Sequence, residues 1–142
     1  MLNDNRENRR ELKSITRVIS QPVINSYAAA VNDFNPIHVD EEYGKKSMFG
    51  STTAHGFLMV GYLATMLKEN FGPNWFTRSK FEVRFRRPAK PGDSLTMGGV
   101  VEGFTEDTAE CRIWVRNQLN EEIISGSARV PIKRGDSNAS MG

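Results

Sequence analysis

The sequence has little of several residue types, and each shortage argues against a class of protein. Only one of the 142 residues is cysteine, Cys111, so no disulfide can form within the chain. No run approaches the ~18 apolar residues of a membrane-spanning helix, and the N-terminal residues lack the apolar core of a signal peptide. The formal net charge of +2 is too small to indicate nucleic-acid binding by itself. We therefore expect a cytoplasmic protein with neither a nucleic-acid nor a membrane partner.

Metal ligands and cofactor motifs are equally scarce. The chain has two histidines and one cysteine, with no spacing such as His-Glu-x-x-His. It contains no glycine-rich phosphate loop, no dinucleotide fingerprint and no serine in the setting of a nucleophile elbow. Cys111 lies in an alternating, strand-like stretch, which favours a buried structural thiol over a nucleophile. We expect neither a metal ion nor a bound cofactor.

Length and composition indicate one folded domain. Hydrophobic residues make up 38% of the chain and charged residues 25%, which is typical of globular proteins. At 142 residues, a single domain buries about two-thirds of the surface of its unfolded chain. Both ends are polar and rich in small or charged residues. We therefore predict a flexible segment over residues 1–11, one domain over 12–133 and a flexible tail over 134–142.

Two helices are predicted in the first half of the domain, after a short strand within 12–20. Apolar residues recur at helical spacing over 21–32, and Pro36 should keep that helix from continuing through the next loop. A short helix is possible at 40–45, and residues 51–53 offer three good N-caps. Residues 54–72 form the most apolar stretch of the chain and predict a long helix that is buried on most of its surface.

The second half predicts strands. Apolar and polar residues alternate over 81–86 and 109–115, and two further strand-like stretches cover 95–101 and 123–130. Pro91 and Gly92 suit the middle of a type II turn. Turn-rich gaps separate the last three stretches, which favours an antiparallel meander. The fold class is therefore α+β, with a long central helix wrapped by a mainly antiparallel sheet.

The stretch NDFNPIHVD, residues 32–40, carries Asp33 and His38 on either side of Pro36. One interpretation is local: Asp33 helps to end the preceding helix, and His38 packs with its polar tip bonded. The other is chemical, because a carboxylate and an imidazole are a common acid–base pair. Gly56, at the start of the long helix, offers N–H groups without intrahelical partners, which favour an anionic oxygen. Gly56 would equally allow close packing, and His55 suits a hydrogen-bonding role near the helix start more than direct catalysis.

Taken together in order, three segments resemble the MaoC-like hydratase family of the hotdog fold. They are NDFNPIH, AHGF and FEVRFRRPAKPGD, within a collinear match from about residue 18 to 101. The resemblance implies a single hotdog domain with five to six strands, Asp33 and His38 as the catalytic pair, and the Gly56 N–H as oxyanion donor to a thioester carbonyl. Asn32 stands where the family usually has glycine, but asparagine tolerates the positive φ that such a loop requires.

The family includes (R)-specific enoyl-CoA hydratases and acyl-carrier dehydratases. The resemblance implies reversible hydration of trans-2-enoyl thioesters to (R)-3-hydroxyacyl thioesters, with coenzyme A or acyl carrier protein as the carrier, in a homodimer or larger homo-oligomer. Alternatives are a carrier-protein dehydratase, a hotdog thioesterase and a non-catalytic acyl-thioester-binding module. Two sets of residues have open roles. The basic residues either contact a coenzyme A phosphate or are simply solvated; they are Lys80, Arg84, Arg86, Arg87 and Lys90. The large apolar residues either shape an acyl pocket or pack the core; they are Phe57, Met59, Trp75 and Phe76.

Overall fold

Six antiparallel strands form one sheet, and a long helix lies against its inner face. The computed structural model of the protein describes residues 10–132. No helix within this range is long and apolar enough to cross a membrane. The elements are β1 (Arg10–Glu11), β2 (Ile15–Val18), α1 (Gln21–Val31), α2 (Pro36–Val39), α3 (Glu41–Lys46), α4 (Gly56–Phe71), a 3-10 helix (Gly72–Phe76), β3 (Lys80–Phe85), β4 (Ser94–Thr105), β5 (Thr108–Arg116) and β6 (Glu122–Pro131).

The sheet confirms the predicted hotdog architecture. Its order is β1-β4-β5-β6-β3, and β2 pairs with β4 on the same side as β1. The meander β4–β5–β6 turns at Glu106 and Asn120, which both adopt positive φ. The predicted turn at Pro91 and Gly92 is also present, with Gly92 at φ 100 and the Asp93 N–H donating to the Lys90 carbonyl at 3.0 Å. β3 pairs with β6 and forms one edge of the sheet.

The core lies between α4 and the inner face of the sheet. Leu63, Met66 and Leu67 of α4 are fully buried, as are Ile113 and Val115 of β5. Burying each such side chain stabilises the fold by roughly 1.5–3 kcal/mol relative to exposure. The prediction of a helix buried on most of its surface needs a correction for the single protomer. Six of the 16 residues of α4 are buried, Leu58 and Met59 among them. Phe57 is 72% exposed, and Gly61, Lys68 and Glu69 are exposed as well.

Cys111 is buried in this core, as predicted. Burial raises the pKa of its thiol to about 12, and the nearby carboxylates of Glu110 and Glu102 act in the same direction. The thiolate is the nucleophilic form of cysteine. Cys111 is therefore a structural residue and has no role as a nucleophile at neutral pH.

One prediction about the loop segments is confirmed and one is wrong. α1 ends at Val31, before Pro36, as predicted. Pro36 itself begins the short α2, whose N-cap Asn35 accepts a hydrogen bond from the Ile37 N–H at 3.2 Å. Residues 51–53 do not cap α4, whose N-cap is His55. The reason is that Thr53 N–H donates to the Ile37 carbonyl and Ala54 N–H to the Ala89 carbonyl, which keeps the chain extended up to residue 55.

The structure describes only two residues of the predicted flexible segments. Arg10 and Glu11, assigned from the sequence to the flexible segment, form β1 and pair with Val101 and Val100. Backbone pairing to a long strand gives these two residues a defined place in the sheet. The rest of that segment, 1–9, and the tail 134–142 lie outside the described residues, so their predicted flexibility stays a prediction.

Candidate active site

The site is built from two loops, 32–38 and 53–56, that meet at the start of α4. The first loop leaves α1 through Asn32, whose φ of 58 and ψ of 45 place it in the left-handed region. This confirms that asparagine can replace glycine at the turn. The Asp33 N–H then donates to the Ala28 carbonyl at 3.0 Å. The chain direction reverses here and brings Asp33 beside the second loop.

Asp33 has the local role that its sequence context suggested. Its Oδ1 accepts a hydrogen bond from the Asn35 N–H at 3.2 Å, which is an Asx-turn. No donor among residues 10–132 binds the other carboxylate oxygen, Oδ2. The side chain is exposed in the single protomer. The turn therefore orients the carboxylate and leaves one oxygen for another partner.

His38 is anchored through one ring nitrogen. Its Nδ1 lies 2.7 Å from the Thr53 carbonyl oxygen. A carbonyl oxygen only accepts, so Nδ1 carries a proton, and Nε2 of the neutral ring is the unprotonated nitrogen. The backbone of His38 is held as well, because the Gln21 side-chain amide donates to its carbonyl at 2.8 Å and the Thr52 hydroxyl donates to Gln21. The imidazole is thus fixed in a tautomer that can take up a proton at Nε2.

His55 lies at the centre of the site. The side chain is 4% exposed, and its Nε2 lies 3.0 Å from the Asp33 carbonyl oxygen. Its ring stacks on that of His38, with centroids 3.8 Å apart and planes tilted by 22°. The edge of Tyr27 packs against it at 4.9 Å. Nδ1 of His55 is buried and has no hydrogen-bond partner among the described residues.

The structure brings Asp33 and His38 together and adds His55. One carboxylate oxygen of Asp33 and one ring nitrogen of each histidine all lie within 4.8 Å of one another.

These residue types also bind metals, but the stacked rings of His38 and His55 are poorly arranged to share one metal ion. An ion at ~2.1 Å must lie in the plane of each imidazole. Between two nearly parallel rings 3.8 Å apart, no position satisfies both lone pairs.

Gly56 is the first residue of α4, as predicted. No acceptor among residues 10–132 takes its N–H, which points out of the positive end of the helix dipole. The packing interpretation also has support. A Cβ at Gly56 would lie 2.7 Å from Cε1 of Phe85 and 3.0 Å from its Cζ. Glycine therefore leaves the amide approachable and makes room for the Phe85 ring.

A cleft of about 340 Å³ opens beside Gly56. Its lining is mostly apolar, with two arginines at the rim. Phe85 is 53% exposed, so part of this apolar wall faces solvent in the protomer. Of the four large residues that the sequence suggested for an acyl pocket, only Met59 lines this cleft. The lining residues are Phe49, Ala54, Gly56, Met59, Phe85, Arg86, Arg87 and Pro88.

Sequence reasoning missed three parts of the site. Neither the Thr53 carbonyl nor Phe49 has a sequence signal for a role in the site, and Phe85, although it lies in the segment FEVRFRRPAKPGD, is far from Gly56 along the chain. His55 was noticed but not linked to Asp33, which lies 22 residues away. The sequence signal for a link between the two segments was that each of them contains one of the two histidines of the chain.

Comparison with known proteins gives consistent matches. Residues 4–123 match the family described as MaoC like domain. The chain is 30% identical over 95 residues to an (R)-specific enoyl-CoA hydratase of Rhodospirillum rubrum, a match that covers 66% of the chain and 65% of that protein. It is 38% identical over 105 residues to a probable dehydratase of Ajellomyces capsulatus, covering 73% of the chain and 26% of that protein. The matched region thus spans less than two-thirds of either relative.

Among solved structures, the chain resembles an R-hydratase of Pseudomonas aeruginosa in its unliganded form. The TM-score is 0.74, with 23% sequence identity over 89% of this chain and 90% of the other. At this identity the likeness concerns the fold. It agrees with the antiparallel sheet and long helix described above.

Proposed function

The chain belongs to the MaoC-like domain family, and on that premise we propose that it catalyses the reversible hydration of trans-2-enoyl thioesters to (R)-3-hydroxyacyl thioesters. Coenzyme A is the proposed carrier. Asp33 and His38 form the acid–base pair, and the Gly56 N–H stabilises the thioester oxyanion. The names of two relatives, an (R)-specific enoyl-CoA hydratase and a probable dehydratase, support this class of reaction.

One observation carries the proposal: the orientation of His38 next to Asp33. The Thr53 carbonyl holds Nδ1 protonated, so Nε2 is the nitrogen left for proton exchange. Asp33 keeps one carboxylate oxygen without a donor in the described part of the chain. One carboxylate oxygen of Asp33 lies within 4.8 Å of one ring nitrogen of His38, and we propose that the two side chains bind the same water molecule. Such a water is held by two acceptors that can remove its proton.

The reaction then follows from these residue types. The pair removes a proton from the water as its oxygen attacks C3 of the enoyl group and the C2–C3 π bond breaks. The electron pair moves to the thioester, giving an enolate, and a proton from the pair is delivered to C2. Protons balance, because one leaves the water and one reaches C2. Each acid–base role contributes ~10²–10⁴ to the rate.

The Gly56 N–H at the start of α4 is the proposed hydrogen-bond donor to the thioester oxygen. Negative charge develops on the thioester oxygen during attack, and the Gly56 N–H has no other acceptor in the described residues. A preorganised donor of this kind lowers the barrier by about 3–4 kcal/mol. The apolar cleft beside Gly56 offers space for the acyl or pantetheine chain, and Arg86 and Arg87 at its rim suit anionic groups of the carrier.

Turnover of crotonyl-CoA and longer enoyl homologues, followed by loss of enoyl absorbance, tests this function. We expect wild-type activity, and loss of activity in Asp33→Asn with an unchanged thermal transition. Release of free thiol from saturated acyl-CoA would indicate a thioesterase instead. Saturable binding without product would indicate a binding module. A folded wild-type protein that is inactive on a broad panel of thioesters on both carriers would refute the proposal.

A homodimer is the proposed active unit. Among residues 10–132, no strand pairs with the outer edge of β3, and unpaired edges favour association. Phe57 and Phe85 are exposed close to Gly56 in the single protomer. A second copy that paired along β3 would cover this apolar surface. Light scattering at assay concentration measures the mass, and a fully active monomer would contradict the proposal.

A further inference from the structure

We propose that His55 is a positioning residue that holds the acid–base pair in place through a hydrogen bond to the backbone of Asp33. This inference rests on the proposed function, since it concerns the same two catalytic side chains. His55 touches all three parts of the site: it bonds the Asp33 carbonyl, stacks on His38 and directly precedes Gly56.

The two histidines join the two loops in a reciprocal way. His38 of the first loop donates from Nδ1 to the Thr53 carbonyl of the second loop. His55 of the second loop donates from Nε2 to the Asp33 carbonyl of the first loop. A backbone hydrogen bond from Thr53 N–H to the Ile37 carbonyl lies beside them. Removing the His55 donor therefore leaves the Asp33 end of the first loop with only its local bonds to Ala28 and Asn35, while the His38 end stays bonded to the second loop.

The environment of His55 separates positioning from catalysis. Its Nε2 is occupied by the Asp33 carbonyl, and its Nδ1 is buried within the protein. Because one nitrogen is bonded and the other is buried, we assign the ring a positioning role and not a catalytic one. Its side chain also makes no capping bond to α4. The remaining polar contribution of the ring is the hydrogen bond to Asp33.

Two substitutions of His55 can distinguish its hydrogen bond from its packing. Phenylalanine would pack against Tyr27 and His38 as the imidazole does, but it has no donor for the Asp33 carbonyl. Glutamine places its amide nitrogen the same number of bonds from Cβ as Nε2 of histidine, so it can keep the donor without the ring. His55→Gln and His55→Phe thus separate the hydrogen bond from the packing.

Steady-state kinetics on crotonyl-CoA provide the first test. Because small misplacements of catalytic groups cost up to about 10²-fold, we expect His55→Phe to lower kcat by roughly 10- to 100-fold with KM nearly unchanged. His55→Gln should stay within about threefold of the wild type if the hydrogen bond is what matters. Leu63→Ala, a buried change elsewhere on α4, is the control: it lowers the melting temperature and leaves kcat unchanged. Equal losses in the Gln and Phe variants would overturn the inference.

Amide hydrogen exchange provides a second test that does not need turnover. Residues 33–35 should exchange faster in His55→Phe than in the wild type or in His55→Gln, while the Thr53 amide stays protected. If the wild type turns over no thioester, the proposed function fails and this comparison still decides whether His55 holds the loop. Identical protection of residues 33–35 in all three proteins would show that His55 does not position Asp33.

Discussion

His38 uses its two ring nitrogens for different purposes, and substitution can separate them. Nδ1 donates to the Thr53 carbonyl at 2.7 Å, whereas Nε2 is the nitrogen proposed to exchange a proton. Asparagine places its amide nitrogen the same number of bonds from Cβ as Nδ1 and so can keep the structural bond. Glutamine reaches the position of Nε2 but cannot donate from that of Nδ1. We expect His38→Asn to be stable and inactive, and His38→Gln to be both inactive and less stable.

The magnitudes follow from the contacts. Losing one acid–base group lowers kcat by ~10²–10⁴ in both variants. In His38→Gln the Thr53 carbonyl also loses its donor in a largely buried setting, which costs about 1–3 kcal/mol. For a domain of this size, 1 kcal/mol shifts the melting temperature by about 4 °C. His38→Asn should therefore melt close to the wild type, and His38→Gln roughly 4–12 °C lower.

Crotonyl-CoA hydration and thermal unfolding, measured on the same preparations, check both parts. Leu63→Ala again serves as a variant with lowered stability and an intact site. An Asn variant that keeps more than about a tenth of wild-type turnover would show that Nε2 is not needed. An Asn variant that melts lower than the Gln variant would show that the bond to Thr53 is not what holds the ring.

Three further predictions concern residues around the pair. The added methyl group of Gly56→Ala would lie 2.7 Å from the Phe85 ring, so we expect this variant to lose turnover. Adding Phe85→Ala should restore turnover if the loss comes from the displaced ring. It should not do so if the methyl group blocks the thioester. Asn32 is left-handed, so Asn32→Ala should cost about 1–2 kcal/mol in chemical denaturation, whereas Asn32→Gly should stay close to the wild type. The pKa of Cys111 is raised from 9.0 to about 12 in the folded protein, so the thiol of the unfolded chain ionises first as the pH rises. The free energy of unfolding should therefore fall as the pH rises between these two values. Cys111→Ala should remove this pH dependence.

The fold could be predicted to a large extent because its signals are local. Alternation of apolar and polar residues in β5 and the apolar residues on the buried side of α4 each reflect contact with a single core. The left-handed end of α1 at Asn32 is likewise a property of one residue type. The start of α4 was predicted less well, because hydrogen bonds to the distant Ile37 and Ala89 carbonyls keep residues 53 and 54 extended and leave His55 as the N-cap.

The site was predictable only in part for the same reason. Asp33, His38 and Gly56 lie within two short segments, and the structure places all three where those segments meet. The contacts that orient them join residues far apart in sequence, such as His55 with Asp33 and Phe85 with Gly56. No periodicity or propensity records such pairs. The catalytic roles of the three residues stay predictions until the kinetic tests above are made.

His38 and His55 have the same ring, and we assign them different roles because His55 is more deeply buried than His38. His38 and His55 stack at 3.8 Å, and each donates one N–H to a backbone carbonyl of the opposite loop. The second nitrogen of His55 is buried in the protomer, which supports the positioning role proposed for this ring. His38 is only partly buried, and its second nitrogen is the one available for chemistry. In the proposed mechanism, His38 therefore exchanges a proton while its ring is held in position by a neighbour that does not itself react. It follows that kcat should depend on both histidines, but only His38 should be irreplaceable by an amide.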